Sequence, residues 1–155
     1  MAFSLDILQN TRKSFKRILE NTSLEDLNKT PEGFNNNIIW NIGHILVTEQ
    51  LLGNRLSGLP TVVNDDLIEK YKKGTKPEGT IAQEEVNEIK ALLQATIDKT
   101  SEDYKSGLYK DFKEYTVSTT GNTLTNIEEA LQFILFHEGI HLGIVLSLLK
   151  AVKSN

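Results

Sequence analysis

The 155 residues are enough for one ordinary domain, and the absence of cysteine excludes a disulfide framework, a thiolate metal site and a cysteine nucleophile. Seventeen Lys and Arg against 21 Asp and Glu give a net charge of −4, which argues against a nucleic-acid binder, whose footprint is a net basic surface. Residues 1–6 reach Asp6 without the basic-then-apolar order of a secretory signal, so the expected location is the cytoplasm.

The first helix is expected to start at Ser4 as N-cap and to run to about Asn21, with Leu5, Leu8, Phe15, Ile18 and Leu19 on one stripe. A turn of helix at residues 23–28 precedes a loop through Pro31 and Gly33. The second long helix begins among Asn35, Asn36 and Asn37, any of which can cap, and continues to about Arg55 with His44 inside its apolar side. Residues 58–79 form a long connection around Pro60, Gly74 and Pro77, with one helical turn near 65–71. The third long helix opens on a capping box at Thr80-Ile81-Ala82-Gln83 and places Val86, Ile89, Leu93 and Ile97 on its core face. Residues 109–124 form the second long connection. The weak alternation over 112–117 and the pair Gly121-Asn122 are compatible with a short extended piece there.

The last helix starts at another capping box, Thr125-Asn126-Ile127-Glu128, and reaches the C-terminus. Its most apolar part, residues 130–151, carries Gln132, His137, Glu138 and His141, which are costly in hydrocarbon, and so reads as a buried core helix rather than a membrane span. Four long helices with two long connections predict a single all-α domain over 1–155, a four-helix bundle.

All three histidines of the chain fall on the apolar sides of these helices. His137 and His141 are four residues apart, so their side chains lie roughly 40 degrees apart around the axis and about one turn apart in height. They interrupt an inward seam that runs through Leu131, Ile134, Val145 and Leu148. The second helix has an equivalent seam through Trp40, His44, Thr48 and Leu51. Three inward imidazoles with no common partner would be poorly satisfied, so a three-histidine site for one divalent ion, bridging the second and last helices, is expected.

His137-Glu138-Gly139-Ile140-His141 also matches the H-E-x-x-H pattern of zinc proteases. No His, Asp or Glu follows His141 to act as a downstream third ligand. Glu138 lies about 100 degrees around the helix from His137, which leaves it three roles: general base, partner to an imidazole, or solvent-facing charge.

Asn37-Ile38-Ile39-Trp40-Asn41-Ile42-Gly43-His44 and Phe136-His137-Glu138-Gly139-Ile140-His141-Leu142-Gly143, in this order and at this separation, resemble the DinB-like metal-binding superfamily. The resemblance implies an up-down-down-up four-helix bundle, often dimeric, and assigns His44, His137 and His141 as ligands to nickel, zinc or another divalent ion. Many relatives have a glutamine shortly after the last histidine; this chain has Ile144 there, a departure that weakens any inference of a shared substrate. Some relatives are small-thiol-dependent S-transferases, so the leading expectation is a metal-dependent enzyme acting with a low-molecular-weight thiol. A metal-dependent hydrolase using Glu138 or Thr48 and a non-catalytic metal-binding stress-response protein are the alternatives. Trp40, Arg55 and Tyr71 are candidate substrate contacts, Arg55 for an anionic group. A homodimer is expected, with no nucleic-acid or membrane partner.

Overall fold

A computed structural model describes residues 1–153. The protein is all-α apart from one two-stranded ribbon. Its elements are α1 (Ala2–Glu20), α2 (Leu24–Asn28), α3 (Ile38–Gln50), α4 (Asp65–Tyr71), α5 (Gln83–Lys105), β1 (Tyr115–Thr116), β2 (Thr123–Leu124) and α6 (Ile127–Lys153). A π-helical turn, Leu51–Arg55, prolongs α3. Among the long helices, α1 packs on α5 and α6, and α3 packs on the same two, so each member of one pair touches both members of the other.

Local chemistry fixes the helix starts. Asn37 caps α3, its side chain accepting the Trp40 N–H at 2.9 Å, and Asn64 does the same for α4 at Leu67. Three expected starts are displaced. α1 begins at Ala2 without a side-chain cap, so Ser4 lies inside it. α5 begins at Gln83, with Ala82 at the cap position and no side-chain cap; two residues before it, the Asn28 side chain accepts the Ile81 N–H at 2.8 Å and ties the entry to α2. At α6 the box is shifted by one residue: Asn126 accepts the Glu129 N–H at 3.0 Å while the Glu129 carboxylate reaches back to Thr125 N at 2.7 Å.

The apolar stripes form two clusters. One surrounds α3 and includes Phe15, Ile42, Ile45, Leu93 and Val145. The other includes Leu8, Ile97, Leu131 and Ile134 and is closed by Val117 and Leu124 of the ribbon region. On α1, α3 and α6 a buried polar residue falls where the chain passes from one cluster to the other: Arg12 between Leu8 and Phe15, Glu49 between Val47 and Leu52, Glu138 between Ile134 and Val145.

α6 is the expected core helix on its inward side only. It is the one helix among the described residues long and apolar enough to cross a membrane, yet only 33% of its most apolar window is buried. One side carries the inward seam, while Phe136, Ile140 and Leu146 are exposed on the other.

Candidate metal centre

Asn37 starts α3 so that His44 falls two turns inside it, facing α6, where His137 and His141 occupy consecutive turns. The three side chains meet: ring centroids are 5.1 Å apart for His44 and His137, 4.9 Å for His44 and His141, and 4.5 Å for His137 and His141. One nitrogen from each lies within 4.8 Å of the others. All three residues are at most 9% exposed.

Two of the rings are fixed from behind. His44 Nδ1 donates to the carbonyl oxygen of Tyr71 at 2.7 Å, and His141 Nδ1 donates to Asn41 Oδ1 at 2.8 Å. Asn41 is itself oriented, its amide nitrogen donating to Asn36 Oδ1 at 2.8 Å and to the Asn37 carbonyl at 2.7 Å, so its oxygen faces the histidine. With Nδ1 protonated in both rings, each Nε2 carries a free lone pair, the ligand form of imidazole. His137 has no hydrogen bond among the described residues and stacks on Phe133 at 5.9 Å.

The donor set fits a divalent ion of the zinc or nickel kind: neutral imidazoles, two of them with an oxygen behind the ring. Bonds of about 2.0–2.1 Å place the nitrogens of a tetrahedral site about 3.3 Å apart. The three nitrogens lie within 4.8 Å of one another, and His137, whose ring is held by stacking and by no hydrogen bond among the described residues, is the least constrained of the three.

Burial also keeps these groups neutral. Desolvation, then the neighbouring His141 and His44, lower His137 to about 3. Desolvation followed by His44 lowers His141 to about 4. His44 is lowered by burial too, against a rise from its bond to Tyr71. Between about pH 4 and 6.5 the unfolded chain therefore binds protons at these positions that the metal-free folded chain does not. Stability of the chelated protein should accordingly decline as pH falls below 6.5, and decline less in a His137→Gln/His141→Gln variant. Urea titrations at pH 7.5 and 5 read the difference; equal pH slopes for the two proteins would refute it.

The triad forms one end of an open cavity of about 400 Å³. Thr48, Leu51, Phe133 and Ile140 line it from the helices, while Lys73 and the 115–119 segment line it from the two long connections. Thr48 Oγ1 is 3.4 Å from His44 Nε2. Arg55 also lines the cavity, with a long 3.4 Å contact to the exposed carboxylate of Asp65. No acidic residue lines it among those described.

The other sequence candidates lie outside the cavity. Trp40 stacks flat on His44, ring centroids 4.8 Å apart, and its Nε1 donates to Thr75 Oγ1 at 3.1 Å. Tyr71 is buried and works through its backbone carbonyl; its hydroxyl donates to Glu85, and its ring fills the space beside Gly43. A Cβ added at Gly43 would lie 2.5 Å from Tyr71 Cδ1. Gly43→Ala should thus displace Tyr71 and its carbonyl together, costing about 1–3 kcal/mol by overpacking and loosening the His44 ring. A melting temperature equal to wild type would contradict this close approach.

Glu138 turns away from the cavity and is not the solvent-facing charge that its azimuth allowed. It is fully buried, and one carboxylate oxygen accepts from Arg12 Nε at 2.8 Å and Nη2 at 2.6 Å. Arg12 is also fully buried, close enough to Glu49 to be stabilised by its charge. Glu49 in turn accepts from Thr100 at 2.5 Å and from Gln50 at 2.8 Å. This network links α1, α3, α5 and α6 and sets the rotation of α6 beside the two histidines.

Asn41, Lys73, Phe133 and the 115–119 segment were not among the sequence candidates. Asn41 carried a signal, a polar residue one helical turn before His44 on the same helix. Phe133 carried a similar one, one turn before His137 on α6. Lys73 and the 115–119 segment become neighbours only through the connections' path.

No curated protein matches this chain. The family model of the DinB superfamily matches residues 7–145, which include all three histidines, α3 with its asparagine cap, and most of α6. On that match, which spans nearly the whole sequence, the chain belongs to the DinB superfamily.

Proposed function

We propose that this protein is a metal-dependent enzyme that transfers a low-molecular-weight thiol to an electrophile, with His44, His137 and His141 holding one divalent ion, nickel or zinc. The observation carrying this reading is that three neutral imidazoles converge at the end of an open cavity lined by no carboxylate. A bound ion would supply Lewis acidity, lowering the pKa of a thiol or a water. Activating water is helped by a nearby general base, and the cavity offers none: Glu138 is committed to Arg12, so the H-E-x-x-H peptidase reading has no base where it needs one. A thiol is far more acidic than water and needs less help. In the reaction its proton leaves to solvent, sulfur forms a bond to the electrophilic carbon, and the leaving group departs with the bonding electron pair. On this reading Thr48, 3.4 Å from His44 Nε2, orients the reacting group, the apolar wall takes its hydrocarbon part, and Asn41 and the Tyr71 carbonyl hold two of the imidazoles in ligand form.

The same proposal takes the four long helices as an up-down-down-up four-helix bundle acting as one domain. It also takes the exposed apolar side of α6, with Phe136, Ile140 and Leu146, as the contact between two copies in the cytoplasm. Light scattering of the purified protein reads the mass of the assembly.

The reaction is tested by supplying bacillithiol, glutathione or coenzyme A with a chromogenic electrophile and comparing thiol consumption with ester and amide hydrolysis. Thiol consumption above a metal-stripped control supports the transferase. Hydrolysis alone would favour the hydrolase, with Thr48 positioning water. Neither activity would leave a non-catalytic metal-binding protein as the better reading.

A further inference from the structure

The cavity lining combines two kinds of chemistry. Leu51, Leu52, Leu56, Phe133 and Ile140 make an apolar wall, and two cations, Arg55 and Lys73, share the lining with them. Arg55 lies three turns beyond His44, about 15 Å along the helix axis, so the group that meets it is not the group that meets the histidines.

Both cations are available to a ligand. Arg55 has only the long contact to Asp65, whose side chain is 89% exposed, and an exposed pair of that kind contributes little. Lys73 donates to the neutral hydroxyl of Ser118, and no carboxylate among the described residues is within ion-pair distance of it. Two cations without a strong internal counter-charge, in a cavity lined by no acid, run against a chain whose net charge is −4. Lys73 comes from the connection after α4 and Ser118 from the loop after β1, so the contact between them also ties together the two segments that roof the cavity.

We infer that the cavity binds an amphiphilic organic anion lengthwise, with its apolar aliphatic or aryl body on the helix wall, its carboxylate or equivalent anionic group held by Arg55, and Lys73 adding to the positive field of the lining. The carboxylate is thereby the handle and the opposite end of the molecule is delivered to the histidines. That this ligand is a substrate rests on the metal-dependent reading above, whereas its binding does not.

The test therefore uses full-length, chelator-treated protein, in which a carboxylate cannot be captured by an ion. Binding of 4-phenylbutyrate and of its neutral analogue 4-phenylbutan-1-ol is measured by calorimetry at low and high salt. The acid is expected to bind about tenfold more tightly than the alcohol at low salt, with the preference shrinking as salt screens it. In an Arg55→Gln/Lys73→Gln variant the preference should vanish while the alcohol binds as before, and Arg55→Lys should retain most of it. Equal binding of acid and alcohol by the wild type, no binding of either, or a preference that survives the double substitution would each overturn the inference. Because both side chains sit at the cavity rim, the variants are expected to melt as the wild type does; the salt dependence of the wild type tests the same claim without any substitution. Loss of metal binding in a separate loading experiment would count against the histidine site and leave this result untouched.

Discussion

Glu138→Ala should destabilise the protein by about 3–5 kcal/mol, the cost of leaving a buried charge unpaired. Arg12 loses the carboxylate that binds both Nε and Nη2 at 0% exposure, away from bulk solvent. Against a typical total stability of about 5–15 kcal/mol, this is a large fraction of the whole. Arg12→Met should cost a comparable amount by stranding Glu138, whose pKa is already raised by burial against the lowering effect of Arg12. Without Arg12 the carboxyl is expected to take up a proton, which limits the loss. Combining Arg12→Met with Glu138→Leu removes both charges and should recover most of the deficit. Urea titrations of the three variants give the coupling directly. A double variant no more stable than the singles would mean that the pair contributes beyond its own charges, through Glu49 and Thr100.

The second large effect concerns the metal. Asn41→Leu keeps the volume beside His141 but removes the oxygen that holds its Nδ1 proton, so affinity for nickel or zinc should fall roughly 10–100-fold, as for other outer-shell partners. His141→Ala removes a ligand and should fall further. The ordering matters more than either value. If Asn41→Leu proved as damaging as His141→Ala, the asparagine would be a ligand in its own right; if it had no effect, the hydrogen bond would not orient the ring. Competition with a chromogenic chelator under identical loading gives both constants.

These expectations also mark where reading the sequence works and where it stops. The histidine constellation is legible because helical periodicity converts spacing into direction: residues 137 and 141 must share a face, and residue 44 falls on the apolar side of another helix. An asparagine cap among residues 35–37 is legible from local chemistry too, and the structure selects Asn37. Glu138 is not legible, since its azimuth allowed three roles and its partner lies 126 residues away on α1. The available signal was Arg12 itself, which continues the spacing of Leu5, Leu8, Phe15 and Leu19 and so occupies an inward position where an unpaired arginine would be untenable. The displaced start of α6 has a local cause: Thr125 satisfies the capping pattern, but the Asn126 side chain supplies the oxygen that accepts the Glu129 N–H. Trp40 and Tyr71 are candidate ligand contacts by sequence, although aromatics at helical core positions more often pack; both pack behind His44, where one stacks and the other supplies a carbonyl. The cavity's roof could not be read at all, because residues 73 and 115–119 are brought to it by the path of two long connections rather than by any periodic element.

Metal stoichiometry of the wild type, His44→Ala and Glu138→Gln, loaded side by side with nickel or zinc, tests the central claim most directly. An inter-helix triad predicts one ion per chain for the wild type and for Glu138→Gln, whose amide oxygen can still accept from Arg12, and a greatly weakened site for His44→Ala. Retention of the ion by His44→Ala with its loss from Glu138→Gln would place the site on α6 alone and contradict the triad.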